Sequence, residues 1–163
     1  SYPEEKEARY QMLLSQSAAL LDETLNPIAN LANIAALLAD ALPQINWCGF
    51  YLMDHGALTL GPVCGLPACT RIQPGRGVCG TAVQKDRVLR IANVHDFPGH
   101  IACDSASQSE IVLPIRHQGR VIGVLDIDSP TLARFDETDE RYLSELVIQI
   151  QKACSFDRAS YTL

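Results

Sequence analysis

Two short turns, Asp54-His55-Gly56 and His117-Gln118-Gly119, each lie between runs of β-branched and aromatic residues. Turns of two or three residues join antiparallel neighbours, whereas parallel strands need a long crossover. The spacing predicts strands Ile45–Met53 and Ala57–Leu60 around the first turn, and Glu110–Arg116 and Arg120–Asp128 around the second. Helical periodicity predicts a helix from Glu4 to about Leu25, and a second that opens at Pro27 on Ile28, Leu31, Ala35, Leu38 and Leu42. A last helix is expected from near Asp136 to about Cys154 on Leu143, Leu146, Val147 and Ile150. Asp139 would be its capping partner. Hairpins bracketed by terminal helices predict an α+β fold, with the N- and C-terminal helices on one face of an antiparallel sheet.

Between the hairpins the chain reads mostly as loop. Pro62 to Gly80 holds four glycines, three cysteines and three prolines around a short strand at Thr70–Ile72. A short helix from Gly80 to about Lys85 leads into a strand Val88–Ile91, and Asn93 to Gln108 is again loop. With 163 residues and no repeat or linker, one domain over residues 1–163 is expected. The formal net charge of −6, without a basic run, excludes a phosphate-backbone footprint. No apolar run reaches the roughly 20 residues of a membrane helix. The polar start, Ser1 to Lys6, is not a secretory signal, and the expected location is the cytoplasm.

Six cysteines in such a chain are fillers, metal ligands or redox thiols. Cys48 in a strand and Cys154 at a helix end read as small apolar fillers. Cys64, Cys69, Cys79, Cys103 and His100 contain no Cys-x-x-Cys knuckle, so no metal site is expected among them. Gly75-Arg76-Gly77-Val78-Cys79-Gly80 has the glycine spacing of a dinucleotide fingerprint, but the helix after it is too short for a crossover. What remains is Cys79 near a helix N-terminus, where unpaired N–H groups favour a thiolate. Cys103 sits in the irregular segment Gly99–Asp104.

Asp126 and Asp128 are the strongest anomaly. They are two apart, so they share one face of an otherwise apolar strand, and Glu110 on the neighbouring strand joins them if the two strands pair. Three crowded carboxyl groups cannot all ionise cheaply. Such a cluster suits holding a proton, binding an ammonium group or binding a divalent metal. Trp47 and Tyr51 also share one face, with Gly49 between them expected to leave space for a ligand.

Taken in order, Asn46-Trp47-Cys48-Gly49-Phe50-Tyr51, Gly61-Pro62, Ala68-Cys69, Gly75 to Ala82, Gly99 to Asp104, Ser109 to Val112 and Gly123 to Pro130 closely resemble the free methionine-(R)-sulfoxide reductases, single GAF-domain enzymes. The resemblance runs from about Trp47 to Pro130. It implies a GAF domain with a sheet of about six strands, commonly in a homodimer. It also implies reduction of free L-methionine-(R)-sulfoxide to methionine with no resident cofactor, thioredoxin as reductant and NADPH consumed only through thioredoxin reductase. By resemblance Cys103 is the nucleophile that becomes a sulfenic acid and Cys69 the resolving thiol, with Cys79 an alternative partner or attacking thiol. Glu110, Asp126 and Asp128 match substrate-binding acids, and Trp47 and Tyr51 the aromatic pocket. Cys48 and Cys64 receive no role. The alternative reading is a ligand-binding or redox-sensing GAF domain without turnover.

Overall fold

The computed structural model describes residues 1–100 and 105–157. The elements run α1 (Lys6–Leu20), α2 (Pro27–Ala41), β1 (Trp47–Asp54), β2 (Ala57–Cys64), β3 (Arg71–Ile72), α3 (Gly77–Lys85), β4 (Leu89–Ile91), a 3-10 turn (Val94–Asp96), β5 (Ser109–His117), β6 (Arg120–Ser129) and α4 (Glu137–Ala153). The six strands form one antiparallel sheet in the order β3-β2-β1-β6-β5-β4.

Both anticipated turns close with two residues, since Asp54 pairs with Ala57 and His117 with Arg120. Each places its two loop residues at positive φ, His55 at 52° and Gly56 at 80°, Gln118 at 53° and Gly119 at 76°. That backbone has the twist that strands leaving an antiparallel hairpin require.

The terminal helices pack on one face. Leu13, Leu31, Ile34, Leu38, Leu143, Leu146 and Ile150 meet Cys48, Phe50, Ile111, Leu113, Ile115, Leu125 and Ile127 in the larger core. Odd positions of β5 and β6 supply this side, so their even positions are left for the other. On that second face α3 lies over Trp47, Tyr51, Val112 and Val124, which pack with Leu58, Ile72, Val78, Cys79 and Ala82. The sheet is therefore covered on both sides, and the site forms under α3.

Helix ends follow local chemistry. Asp136 and Asp139 form the expected capping box on α4. Asp139 is fully buried and also accepts from Tyr10 Oη at 2.6 Å, Lys6 Nζ at 2.6 Å and Arg134 at 3.2 Å, which ties α1 to α4. Three boundaries differ from expectation. β2 runs to Cys64, four residues past the expected Leu60, because Val63 and Cys64 still pair with Gly49 and Cys48 of β1. α1 stops at Leu20 rather than Leu25, because Asp22 Oδ1 takes the Thr24 amide and buried Asn30 bonds both backbone groups of Asp22. These side chains offer the backbone a turn in place of another helical turn. α3 begins at Gly77, not Gly80, after Arg76, whose carbonyl already accepts from the Gly80 amide.

Candidate active site

Strand register assembles the site. Glu110 on β5 is paired with Asp128 on β6, and Val112 with Asp126. On the other side of β6, Asp128 is paired with Trp47 and Asp126 with Gly49 of β1. Directly paired residues point to one face, so the three carboxyl groups and the two aromatics converge as their spacing predicts. Above them α3 contributes Val78 and Cys79. Arg76, His100 and Ser107 complete the lining of the cavity.

The aromatic wall is rigid. Trp47 and Tyr51 stack with ring centroids 5.9 Å apart. Trp47 Nε1 donates to the Leu66 carbonyl at 3.0 Å, and Tyr51 Oη to the Cys69 carbonyl at 2.9 Å. Both bonds clamp the 65–70 loop onto the sheet and fix the place of Cys69 beside the cavity. The space expected over Gly49 is not there. A Cβ at Gly49 would stand 2.8 Å from Val63 Cβ, because the irregular β1–β2 register brings Val63 opposite Gly49. Gly49 lets β2 close onto β1; the cavity lies beside it, under α3.

Burial sets the electrostatics. Glu110 and Asp126 are each only 6% exposed. Desolvation, then the charges of Asp126 and Asp128, push the Glu110 carboxyl well above the ordinary carboxylate range. Burial also raises Asp126, partly offset by the neighbouring Glu110, Cys79 and Asp128, whose protons favour its ionised form. Glu110 is thus pushed further toward its neutral form than Asp126, which is the better acceptor. Cys79 Sγ donates to Asp126 Oδ2 at 3.4 Å.

Cys79 does lie in the first turn of α3, but its thiol is not activated. Burial comes first, followed by repulsion from Asp126, Glu110 and Asp128, and together they raise it well above the usual cysteine value. Three nearby carboxyl groups in a desolvated site outweigh the end of a nine-residue helix. Cys48, Cys64, Cys79 and Cys154 are free thiols. Cys48 and Cys64 pair across β1 and β2 on the opposite face, where burial pushes Cys48 up to about 12. Cys48 and Cys154 are buried as the expected fillers. Cys103 lies outside the described residues.

Three polar lining residues escaped sequence reasoning as site residues. Arg76 and His100 sit inside glycine-flanked segments that drew attention for their cysteines, and that local glycine is the one signal that marks them. Ser107 carries no such signal.

The GAF domain family matches residues 19–154 of this chain. Free methionine-R-sulfoxide reductase of Escherichia coli strain K12 is 56% identical over 125 residues, which cover 77% of this chain and 76% of its own. The chain belongs to the free methionine-(R)-sulfoxide reductase family. The yeast member, from Saccharomyces cerevisiae, is 40% identical over 159 residues, 93% of this chain and 88% of its own. Among solved structures, free methionine-R-sulfoxide reductase from Neisseria meningitidis in complex with its substrate superposes with a TM-score of 0.90 at 45% identity. It spans 94% of this chain and 93% of that one. No helix among the described residues is long and apolar enough to cross a membrane.

Proposed function

We propose that this reductase-family member converts free L-methionine-(R)-sulfoxide to L-methionine. The observation that carries the reading is the pairing of Glu110, pushed toward its neutral form by burial, with Asp128 and Asp126 on the face walled by Trp47 and Tyr51. A sulfoxide oxygen must be protonated before its bond to sulfur breaks, and a carboxyl group pushed toward its neutral form is the donor this needs. The Escherichia coli, yeast and Neisseria meningitidis relatives, all named for this activity, support the substrate class.

In this reading the Cys103 thiolate attacks the sulfoxide sulfur while Glu110 protonates the oxygen. The protonated oxygen then passes as hydroxyl from the substrate sulfur to Cys103 Sγ while the transient sulfur–sulfur bond breaks, so methionine leaves with the electron pair and Cys103 is left as a sulfenic acid. Cys69 condenses with it, releasing water and forming a disulfide. Thioredoxin then returns two electrons by thiol–disulfide exchange. Asp126 and Asp128 attract the α-ammonium group, which a peptide-bound methionine lacks, and the methyl group rests on Trp47. Arg76 at the cavity mouth faces the α-carboxylate. Cys79, with its thiol held protonated against Asp126, acts as a hydrogen-bond donor within the site. Action in the cytoplasm as a homodimer belongs to the same reading.

The test is thioredoxin-coupled NADPH oxidation with free methionine-(R)-sulfoxide, its (S) epimer and a peptide-bound (R) sulfoxide, alongside Cys103→Ser. Turnover of the free (R) epimer alone, lost in the variant, is expected. Reduction of none of the three would leave a ligand-sensing GAF domain as the better reading.

A further inference from the structure

Sγ of Cys79 and one carboxylate oxygen each of Glu110 and Asp126 lie within 4.8 Å of one another, all three side chains buried. The remaining oxygen of Asp126, Oδ1, is buried with no hydrogen-bond partner among the described residues. A buried acceptor left without a partner is costly, more so when charged, unless something binds it. The residue lines a cavity of about 40 Å³. By the roughly 10–15 Å³ that one water takes, this has room for an ion and its water.

The one sulfur–oxygen spacing at the heart of this cluster fits a particular class of cation. With zinc–sulfur at about 2.3 Å and zinc–oxygen at about 2.0–2.2 Å, two tetrahedral ligands stand roughly 3.5 Å apart. Cys79 Sγ and Asp126 Oδ2 are 3.4 Å apart, bridged by a single thiol proton that a cation would displace. One sulfur with two carboxylates suits a borderline-soft ion of the zinc, cobalt or cadmium type and disfavours magnesium and calcium, which take oxygen ligands alone. Three ligands leave a fourth position facing the cavity, for water.

We infer that Cys79, Glu110 and Asp126 form a binding site for a zinc-class divalent cation, and that its occupation excludes the sulfoxide substrate and arrests turnover. Binding rests on this geometry alone; the arrest rests on the reductase reading, because the cation takes the proton donor and the ammonium-binding carboxylate together.

The experiment titrates the reduced full-length protein with cobalt(II) and follows the near-ultraviolet thiolate-to-cobalt absorption. One equivalent is expected for the unsubstituted protein and for Cys64→Ser, whose thiol lies on the other face. The band should vanish in Cys79→Ser, and the apparent Kd should rise at least tenfold in the near-isosteric Asp126→Asn and Glu110→Gln. Circular dichroism reports whether each variant is folded, and a rise in the melting temperature of the unsubstituted protein with zinc gives a second reading of binding. A band that survives Cys79→Ser, or an unchanged Kd in a folded Asp126→Asn, would overturn the site. Free methionine-(R)-sulfoxide should weaken cobalt binding, and zinc should inhibit turnover in competition with it. If the metal-free protein turns over and stoichiometric zinc leaves its rate unchanged, the arrest is wrong. If cobalt binds with the expected variant pattern while the metal-free protein neither binds nor reduces the sulfoxide, the cation site stands and the reductase reading fails.

Discussion

Glu110 and Asp128 face each other as a directly paired couple across β5 and β6, and Asp126, the next same-face residue of β6, completes the cluster. Cross-strand pairs of like charge are destabilising when both are ionised. This sheet accommodates one because burial and the neighbouring acids push Glu110 toward its neutral form, the proton-holding state the proposed reaction calls on.

The first prediction concerns pH. Burial and the neighbouring acids raise the folded-state pKa of Glu110 above its ordinary 4.5. A raised carboxyl contributes stability that is fully present below the unfolded pKa and is lost as pH rises through the folded one. Relative to Glu110→Gln, the unsubstituted protein should therefore lose stability above about pH 4.5, by at most about 1.4 kcal/mol per pH unit. Urea midpoints of the two proteins between pH 4 and 9 check this; parallel curves would contradict it. The same variant should stay folded yet lose about 100-fold or more in turnover, the usual contribution of a positioned acid.

Cys79→Ala separates a supporting thiol from an attacking one. Removing the donor to Asp126 is expected to lower kcat/KM about tenfold, the worth of one hydrogen bond to a charged group. Cys103→Ser should abolish turnover. Rapid quench of both variants with free (R)-sulfoxide decides the matter, and the opposite pattern would make Cys79 the nucleophile.

Gly65→Ala tests the aromatic wall. Gly65 has φ +146°, and a Cβ there would lie 2.5 Å from Trp47 Cδ1. Alanine should cost about 1–3 kcal/mol in backbone strain and push Trp47 out of its stack on Tyr51. KM for the sulfoxide is expected to rise more than kcat falls, with weaker and red-shifted tryptophan fluorescence as Trp47 loses burial.

Asp136→Ala addresses the fold apart from the site. It removes the α4 cap and a 3.0 Å ion pair with Lys6, which together hold the Asp136 carboxyl down at about 2. A lost cap costs about 1 kcal/mol, and a melting temperature lower by roughly 2–4 °C is expected at neutral pH. Because the native pKa is depressed, this difference should shrink as pH falls toward 2. Turnover at 25 °C should not change.

Much of the site was legible because strand periodicity is local. Asp126 and Asp128 share a face whatever they pair with, but the two-residue turn at Gln118-Gly119 by itself would set Glu110 opposite Ile127, and the one-residue slip between Ile115 and Arg116 is what brings it to Asp128. The same reasoning put Trp47 and Tyr51 together. It failed at Gly49, where the apparent gap is filled by Val63, because the β1–β2 register slips between Gly49 and Tyr51 and no local pattern announces that. It failed also for the Cys79 thiol. Its place in the first turn of a helix is a local fact, but its surroundings are three acids brought from β5 and β6.

By itself, then, the amino-acid order determined the strand faces, the two hairpins, the helix caps and the set of residues able to do redox chemistry. These depend on backbone geometry and on neighbours a few positions away. Tertiary structure alone decided that α3 closes over the sheet face opposite the other helices, that Arg76, His100 and Ser107 line the cavity, and that burial among neighbouring acids pushes both the Glu110 carboxyl and the Cys79 thiol toward their protonated forms. Desolvation and charge–charge coupling depend on which groups are packed together in space, and that packing exists only once the sheet and its covering helix have met.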